Sequence, residues 1–259
     1  MLKILVTNDD GFQSDGLSSL VEKLSLLFDV TVIVPSSDKS GIGAAFTLQT
    51  DIKIKKSSSL FSKVSTFIVD GTPSDCVCIG MEYLEDDKFD LLISGINAGS
   101  NLGLDCISSG TVSAAMMGSL YNIPSIAISV CAITDVNYSV ASDIAMYFAK
   151  LVRDKKNPFF KVLNINVPNL SRDKICGIHN SVLGGRLYVE DIIKNDKDNN
   201  IVQIGRKRIT QVVHSEMSDI NATDQGYISV SQIEPKFVEK FPSSFIETVK
   251  WPDIVFSDH

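Results

Sequence analysis

KILVTNDDGFQSDG, residues 3–16, opens with an apolar, β-branched run and ends in two adjacent carboxylates and a glycine. Lys3 to Thr7 reads as a short strand, bounded by the turn formers Asn8, Asp9, Asp10 and Gly11. From Asp15 to Phe28, Leu17, Leu20, Val21, Leu24, Leu27 and Phe28 recur at helical spacing, with Asp15 suited to cap the helix. This is a strand–loop–helix unit. In open parallel sheets ligands bind beyond the carboxyl ends of strands, which is where Asp9 and Asp10 fall. Side chains alternate along a strand, but at a turn both carboxylates can converge. Two such anions about 4 Å apart repel by about 4 kcal/mol at an effective dielectric of about 20. A cation is therefore expected between them, and a hard divalent ion such as Mg²⁺ or Mn²⁺ prefers such oxygens. Asp-Asp-Gly is also an ordinary turn, so the stretch by itself leaves both readings open.

A chain of 259 residues with 44% hydrophobic content can fill a substantial core, as one large α/β domain or a domain with an appendage. The net charge of -7 leaves no basic surplus for nucleic-acid polymers or anionic membranes. Small anionic substrates stay possible where a metal or backbone amides supply positive charge. The five cysteines, Cys76, Cys78, Cys106, Cys131 and Cys176, are odd in number and sit mostly in apolar runs. Reduced thiols in a cytoplasmic compartment are the simpler account. Cys76 and Cys78 have no second pair at zinc-ligand distance and read as core. Met1 runs straight into a strand, with no signal-peptide pattern. Cys106 to Thr134 is long and uncharged, yet Ser108, Ser109, Gly110, Asn122 and Pro124 divide it into a helix, a turn and a buried strand.

Further strands are expected at Val30–Pro35, Thr66–Val69, Asp90–Ser94, Ser125–Val130 and Val162–Val167, with a helix at 140–152 and another capped by Ser74 or Asp75. Residues 51–64 suggest an exposed hairpin or edge excursion. Six strands alternating with helices imply a Rossmann-like, doubly wound, mostly parallel α/β sheet in three layers. From about Ile175 the chain turns β-rich. A long hairpin within about 175–235 that packs on a partner subunit is expected. No internal repeat is visible.

The loops after these strands carry the chemistry. Ser40 and Gly41 follow the second strand, and GINAGSNLG, with Asn97 and Asn101, follows the DLLIS strand. Ser109, Gly110 and Thr111 open a small-residue helix, which is either a capped helix or a ready phosphate site. Asp9, Asp10, Ser40 and Asn97 supply four oxygen-bearing side chains from strand ends, suited to a metal-held phosphate attacked by water. There is no GxxxxGK[ST] loop and no GxGxxG after the first strand. Histidine is scarce and late, at His179, His214 and His259, so a histidine nucleophile is unsupported. The adjacent aspartates also differ from the DxD spacing of aspartyl-nucleophile phosphatases.

Taken in order, VTNDDGFQSDGL, SGIGAAFT, DGTPSDCV, SGINAGSNLG and SSGTVSAAM resemble the SurE survival-protein family over roughly the first 170 residues. The resemblance implies a metal-dependent 5'(3')-nucleotidase that releases phosphate from nucleoside monophosphates, with short polyphosphate a further substrate of some members. It implies one Mg²⁺ or Mn²⁺ per subunit on Asp9, Asp10, Ser40 and Asn97, with Asp9 or Asp10 as proton acceptor. It points to Gly41, Asn101, Ser109, Gly110 and Thr111 as the phosphate pocket, and to a homodimer or homotetramer built by exchanged hairpins. NINVPN and GYISVSQI look like the family's downstream strands. Two positions depart from its pattern: Ser108 stands where a tyrosine is usual, and Met117 where an acidic residue is. The rival from another class is a catalytically silent nucleotide-binding or regulatory module.

Overall fold

The computed structural model describes residues 1–57, 60–61, 63–84, 88–155, 160–194, 201–209 and 215–234. Strand β1 (Lys3–Thr7) lies inside the sheet. It pairs in parallel with β2 (Asp29–Pro35) on one side and β5 (Leu91–Ala98) on the other. Beyond β2 come β4 (Ser65–Val69), parallel, and the edge strand β3 (Ile54–Ser57), antiparallel. Beyond β5 come β6 (Ser125–Val130) and β7 (Val162–Val167), both parallel. Then follow β11 (Tyr227–Ile233), antiparallel to β7, and β8 (Gly177–Asn180). The full order is β3-β4-β2-β1-β5-β6-β7-β11-β8. Its six parallel strands, counted in chain order, run 3-2-1-4-5-6, the Rossmann arrangement, so the switch point lies between β1 and β5.

Alternation along β1 separates the two cores. Ile4 and Val6 face a cluster shared with helices α1 (Asp15–Leu24) and α4 (Ser139–Arg153). Leu5 faces the other cluster, shared with α2 (Pro73–Cys78) and α3 (Gly110–Leu120). Helices therefore cover both faces, as a sheet of parallel strands requires. Helix α3 is built of small residues because it lies directly on the sheet: a Cβ on Gly118 would come 2.5 Å from Ser125 Oγ and 3.3 Å from Leu92 Cβ. Met117 packs into this second core. Asn122 takes φ +60° in the turn between α3 and β6. Among the described residues no helix is long and apolar enough to cross a membrane. All five cysteines are free, and Cys76 packs into the core.

Several local expectations need correction. The cap of α1 is Ser14, whose hydroxyl accepts from Leu17 N, and Asp15 stands in the first turn, where its charge suits the helix dipole. That helix stops at Leu24. The Leu24 carbonyl takes the N–H groups of both Leu27 and Phe28, which leaves Phe28 in the core and Leu27 exposed. Helix α2 is capped by Thr72, with Asp75 bonded back to the Thr72 N–H in a capping box; Ser74 is not the cap. A π turn, Ile79–Tyr83, carries the chain past Gly80. Strand β5 runs four residues beyond Ser94. Gly95 takes φ +138° and the register against β6 shifts, and the buried Ile96 keeps the strand in the sheet, so that Asn97 pairs with Ser129.

The β-rich stretch includes a separate two-stranded ribbon, β9 (Tyr188–Lys194) antiparallel to β10 (Val202–Arg208). Its intervening residues 195–200, and His214 and His259, lie outside the described residues. Helix α5 (Asp219–Asp224) precedes β11.

Candidate active site at the switch point

Asn8 closes the turn after β1 by donating to the Gly11 carbonyl at 2.9 Å, and Gly11, at φ +86°, lets the second loop approach. A Cβ there would lie 3.0 Å from the Ser37 carbonyl carbon. The two loops are tied by Lys39 N, which donates to the Asp9 carbonyl at 2.7 Å. Asp9 is 3% exposed. One carboxylate oxygen accepts from the Thr111 hydroxyl and the other from Thr111 N at 3.1 Å. The start of α3 therefore sits on this carboxylate, and a Cβ on Gly110 would come 2.8 Å from Asp9 Cβ. Asp10 turns toward β5 and accepts from Ala98 N at 3.3 Å.

A cavity of about 350 Å³ opens here, walled by Asp9, Ser40, Gly41, Asn97, Asn101 and Ser109 among others. Of the sequence-derived candidates, Asp10, Gly110 and Thr111 stand behind this wall. Thr111 is fully buried, and Ser109 caps α3 by accepting from Val112 N at 3.1 Å. Asn101 is held by partners that sequence reasoning missed. Its N–H donates to Asn166 Oδ1 at 2.8 Å, its carbonyl accepts from Asn164 and Asn166, and its Nδ2 donates to Ser129 Oγ at 2.9 Å. The loop carrying Asn101 is further anchored by Asp219, which accepts from Gly103 N at 2.7 Å and Gly184 N at 2.8 Å. Asp105 accepts from Leu187 N and Tyr188 N at the root of the ribbon. The signal for Asn164 and Asn166 is two amides on one face of an otherwise apolar strand; Asp105 and Asp219 carry no local signal.

The site is electrostatically unbalanced. Burial pushes the Asp10 carboxyl up to about 7, with the Asp9 charge adding to the rise. Burial also raises Asp9, against the lowering by its Thr111 bonds, and the charge of Asp38 raises both. Among the described residues no ion pair involves Asp9, Asp10 or Asp38. The donors suit a hard cation. Ser40 gives its hydroxyl proton to Asp38 at 2.6 Å, which leaves its lone pairs free, and Asn97 gives its NH₂ to the Gly99 carbonyl at 2.7 Å, which leaves its amide oxygen. No cluster of three or more His, Cys, Asp or Glu among the described residues could hold a metal. Any cation held here therefore needs the hydroxyl and amide oxygens beside the carboxylates.

Fold and cavity together define a doubly wound α/β protein with an acidic, oxygen-lined site at the topological switch point. A model of the family described as survival protein SurE matches residues 4–190. The chain belongs to the SurE family. The 5'-nucleotidase SurE of Geotalea daltonii is 38% identical over 235 residues, which cover 90% of this chain and 92% of the relative. That of Thermoanaerobacter pseudethanolicus is 36% identical over 233 residues, with the same coverage. The crystal structure of SurE protein from Aquifex aeolicus superposes with a TM-score of 0.78 at 33% identity, covering 97% of this chain and all of that one.

Proposed function

We propose that this chain is a phosphomonoesterase that hydrolyses nucleoside 5'-monophosphates, and 3'-monophosphates as a secondary class, to nucleoside and phosphate. The supporting observation is the Asp9–Asp10 pair, buried at Asp9 and half-buried at Asp10, in no ion pair among the described residues, with the oxygens of Ser40 and Asn97 beside it at the switch point. The relatives named 5'-nucleotidase support the substrate class. Asp9, Asp10, Ser40 and Asn97 would hold one divalent ion per subunit, Mg²⁺ or Mn²⁺. When bound, such an ion polarises a phosphoryl oxygen and lowers the pKa of a water. The protein's own groups do the rest. Asp9, which lines the cavity and is fixed by Thr111, or Asp10, held by the Ala98 amide, accepts the proton of the attacking water. Gly41, Asn101 and Ser109 line the space for the phosphate, and Gly110 and Thr111 set the helix start behind Asp9. Short polyphosphate fits the same chemistry. The five free thiols favour a reducing, cytoplasmic setting.

Phosphate release from a panel of nucleoside monophosphates, with Mg²⁺, Mn²⁺ or EDTA, tests this reading. Metal-dependent release is expected; nucleotide binding without release would mark a silent binding module. Thr111→Val keeps the branched shape and the backbone N–H bond but removes the hydroxyl donor to Asp9. Its kcat/KM is expected to fall ten- to a hundredfold, about 1.4 to 2.8 kcal/mol, with metal-induced stabilisation retained; unchanged kinetics would make Thr111 a packing residue only.

Residues 1–259 are read as one α/β domain with an oligomerisation arm within about 175–235. The ribbon supports this, since Ile192, Ile193, Val202 and Ile204 are at least half exposed in the single chain. A homodimer or homotetramer is expected by light scattering at micromolar concentration. A single species of monomer mass would remove the arm's proposed role.

A further inference from the structure

Among the described residues the cavity wall contains one positively charged side chain, Arg206, and the ribbon supplies it. Arg206, on β10, lines the same space as Asp9, Ser40 and Ser109. Its Nη2 donates to Ser108 Oγ at 2.7 Å, and Ser108 Oγ donates in turn to the Asp105 carbonyl at 3.2 Å. The hydroxyl thus has its proton placed and receives the guanidinium on a lone pair. Asp105 also fixes the ribbon, since its carboxylate takes the Leu187 and Tyr188 amides. The arginine is therefore positioned at both ends of its reach.

Among the described residues Arg206 makes no ion pair. Glu190, opposite it in the ladder, is paired with Arg186, and Arg208, two residues on, is paired with Asp224. A guanidinium has five N–H donors, and the described contacts of Arg206 show one of them in use, on Ser108. Planar forked donors facing an acidic cavity suit an oxyanion better than a neutral group. Carboxylates on one wall repel a phosphate dianion, so a cation on the other wall is the complement such a ligand needs.

We propose that Arg206 is a substrate-contacting residue, its guanidinium pairing with a non-bridging oxygen of the substrate's phosphate while Ser108 holds it in position. This rests on the phosphatase reading and adds a specificity residue carried by the ribbon.

Inorganic phosphate titrated into the Mn²⁺-loaded protein reads the contact without turnover, and steady-state kinetics on a nucleoside monophosphate read it with turnover. Arg206→Gln is expected to weaken phosphate binding and to raise KM about tenfold, with the Mn²⁺-induced thermal shift intact. Arg206→Lys should recover part of the loss and Ser108→Ala should show a smaller one. Lys207→Gln, one residue on and so on the opposite face of the strand, should change neither. Phosphate affinity within twofold of wild type in Arg206→Gln would overturn the inference. A wild type that binds phosphate but releases none from nucleotides would overturn the catalytic reading, with Arg206 still judged by the binding data. A wild type that binds no phosphate would overturn both.

Discussion

Asp9→Asn is expected to lower kcat/KM for nucleoside 5'-monophosphates by about a thousandfold or more, equivalent to about 4 kcal/mol of lost transition-state stabilisation. Both oxygens of Asp9 are engaged, one by the Thr111 hydroxyl and one by the Thr111 amide. An amide at this position keeps one acceptor and turns an NH₂ group toward a donor. With Gly110 so close that even a methyl group would press on Asp9, the side chain has no room to rotate away. The substitution therefore removes charge from the proposed cation site and disturbs the helix start together. Folding should survive, because one mispaired buried donor costs about 1–3 kcal/mol. Circular dichroism and single-turnover phosphate release on the same preparation check both parts. A folded variant with a tenth of wild-type activity would show that Asp9 is a structural turn residue.

Asp219→Ala is expected to produce the largest loss of stability. The residue is fully buried, and its carboxylate accepts three backbone N–H groups, from Gly103 at 2.7 Å, Gly184 at 2.8 Å and Ile220 at 2.9 Å. Removing it strands those donors, at a combined cost of about 4 kcal/mol. For a chain of this size that corresponds to a fall in Tm of about 10 °C. Asp219→Asn retains one oxygen and should lose about half as much. The loss should reach the site, since Asp219 joins the Gly103 loop to the ribbon root and α5. Gly103 has no alternative seat: at φ +54°, a Cβ there would lie 2.0 Å from the Gly185 carbonyl oxygen. Differential scanning calorimetry of both variants tests this, and a shift below about 2 °C for Asp219→Ala would mean the three amides find other partners.

The fold was legible because its six parallel strands are short, nearly continuous apolar runs, each ending in turn residues. Their order in space was not, because register between β1 and β5 is set by packing some ninety residues apart. Sequence does not single out the helix start where several capping residues compete. At Ser14-Asp15 and at Thr72-Pro73-Ser74-Asp75 every polar residue can cap, and backbone geometry selects Ser14 and Thr72. The end of β5 is hidden in the sequence because glycine and asparagine read as turn formers, whereas the buried Ile96 keeps the strand in the sheet. In the candidate site, the cavity brings together Asp9, Ser40, Asn97 and Asn101, all from loops or strand ends on one rim. Arg206, Asp105 and Asp219 were invisible. Each acts across a long sequence separation, and a lone charged residue in a polar stretch has no local pattern to mark it.

On the proposed function, the Asp9–Asp10 pair exists to hold a cation. Thermal unfolding of wild type and Asp10→Asn, each in EDTA and in saturating Mn²⁺, tests it most directly. In EDTA the variant should melt at or above the wild-type temperature, because a carboxylate that burial and Asp9 disfavour has been neutralised. In Mn²⁺ the wild type should gain about 2.7 kcal/mol at a hundredfold excess over Kd, and the variant should lose most of that gain. Equal Mn²⁺-induced shifts in the two proteins would contradict the claim.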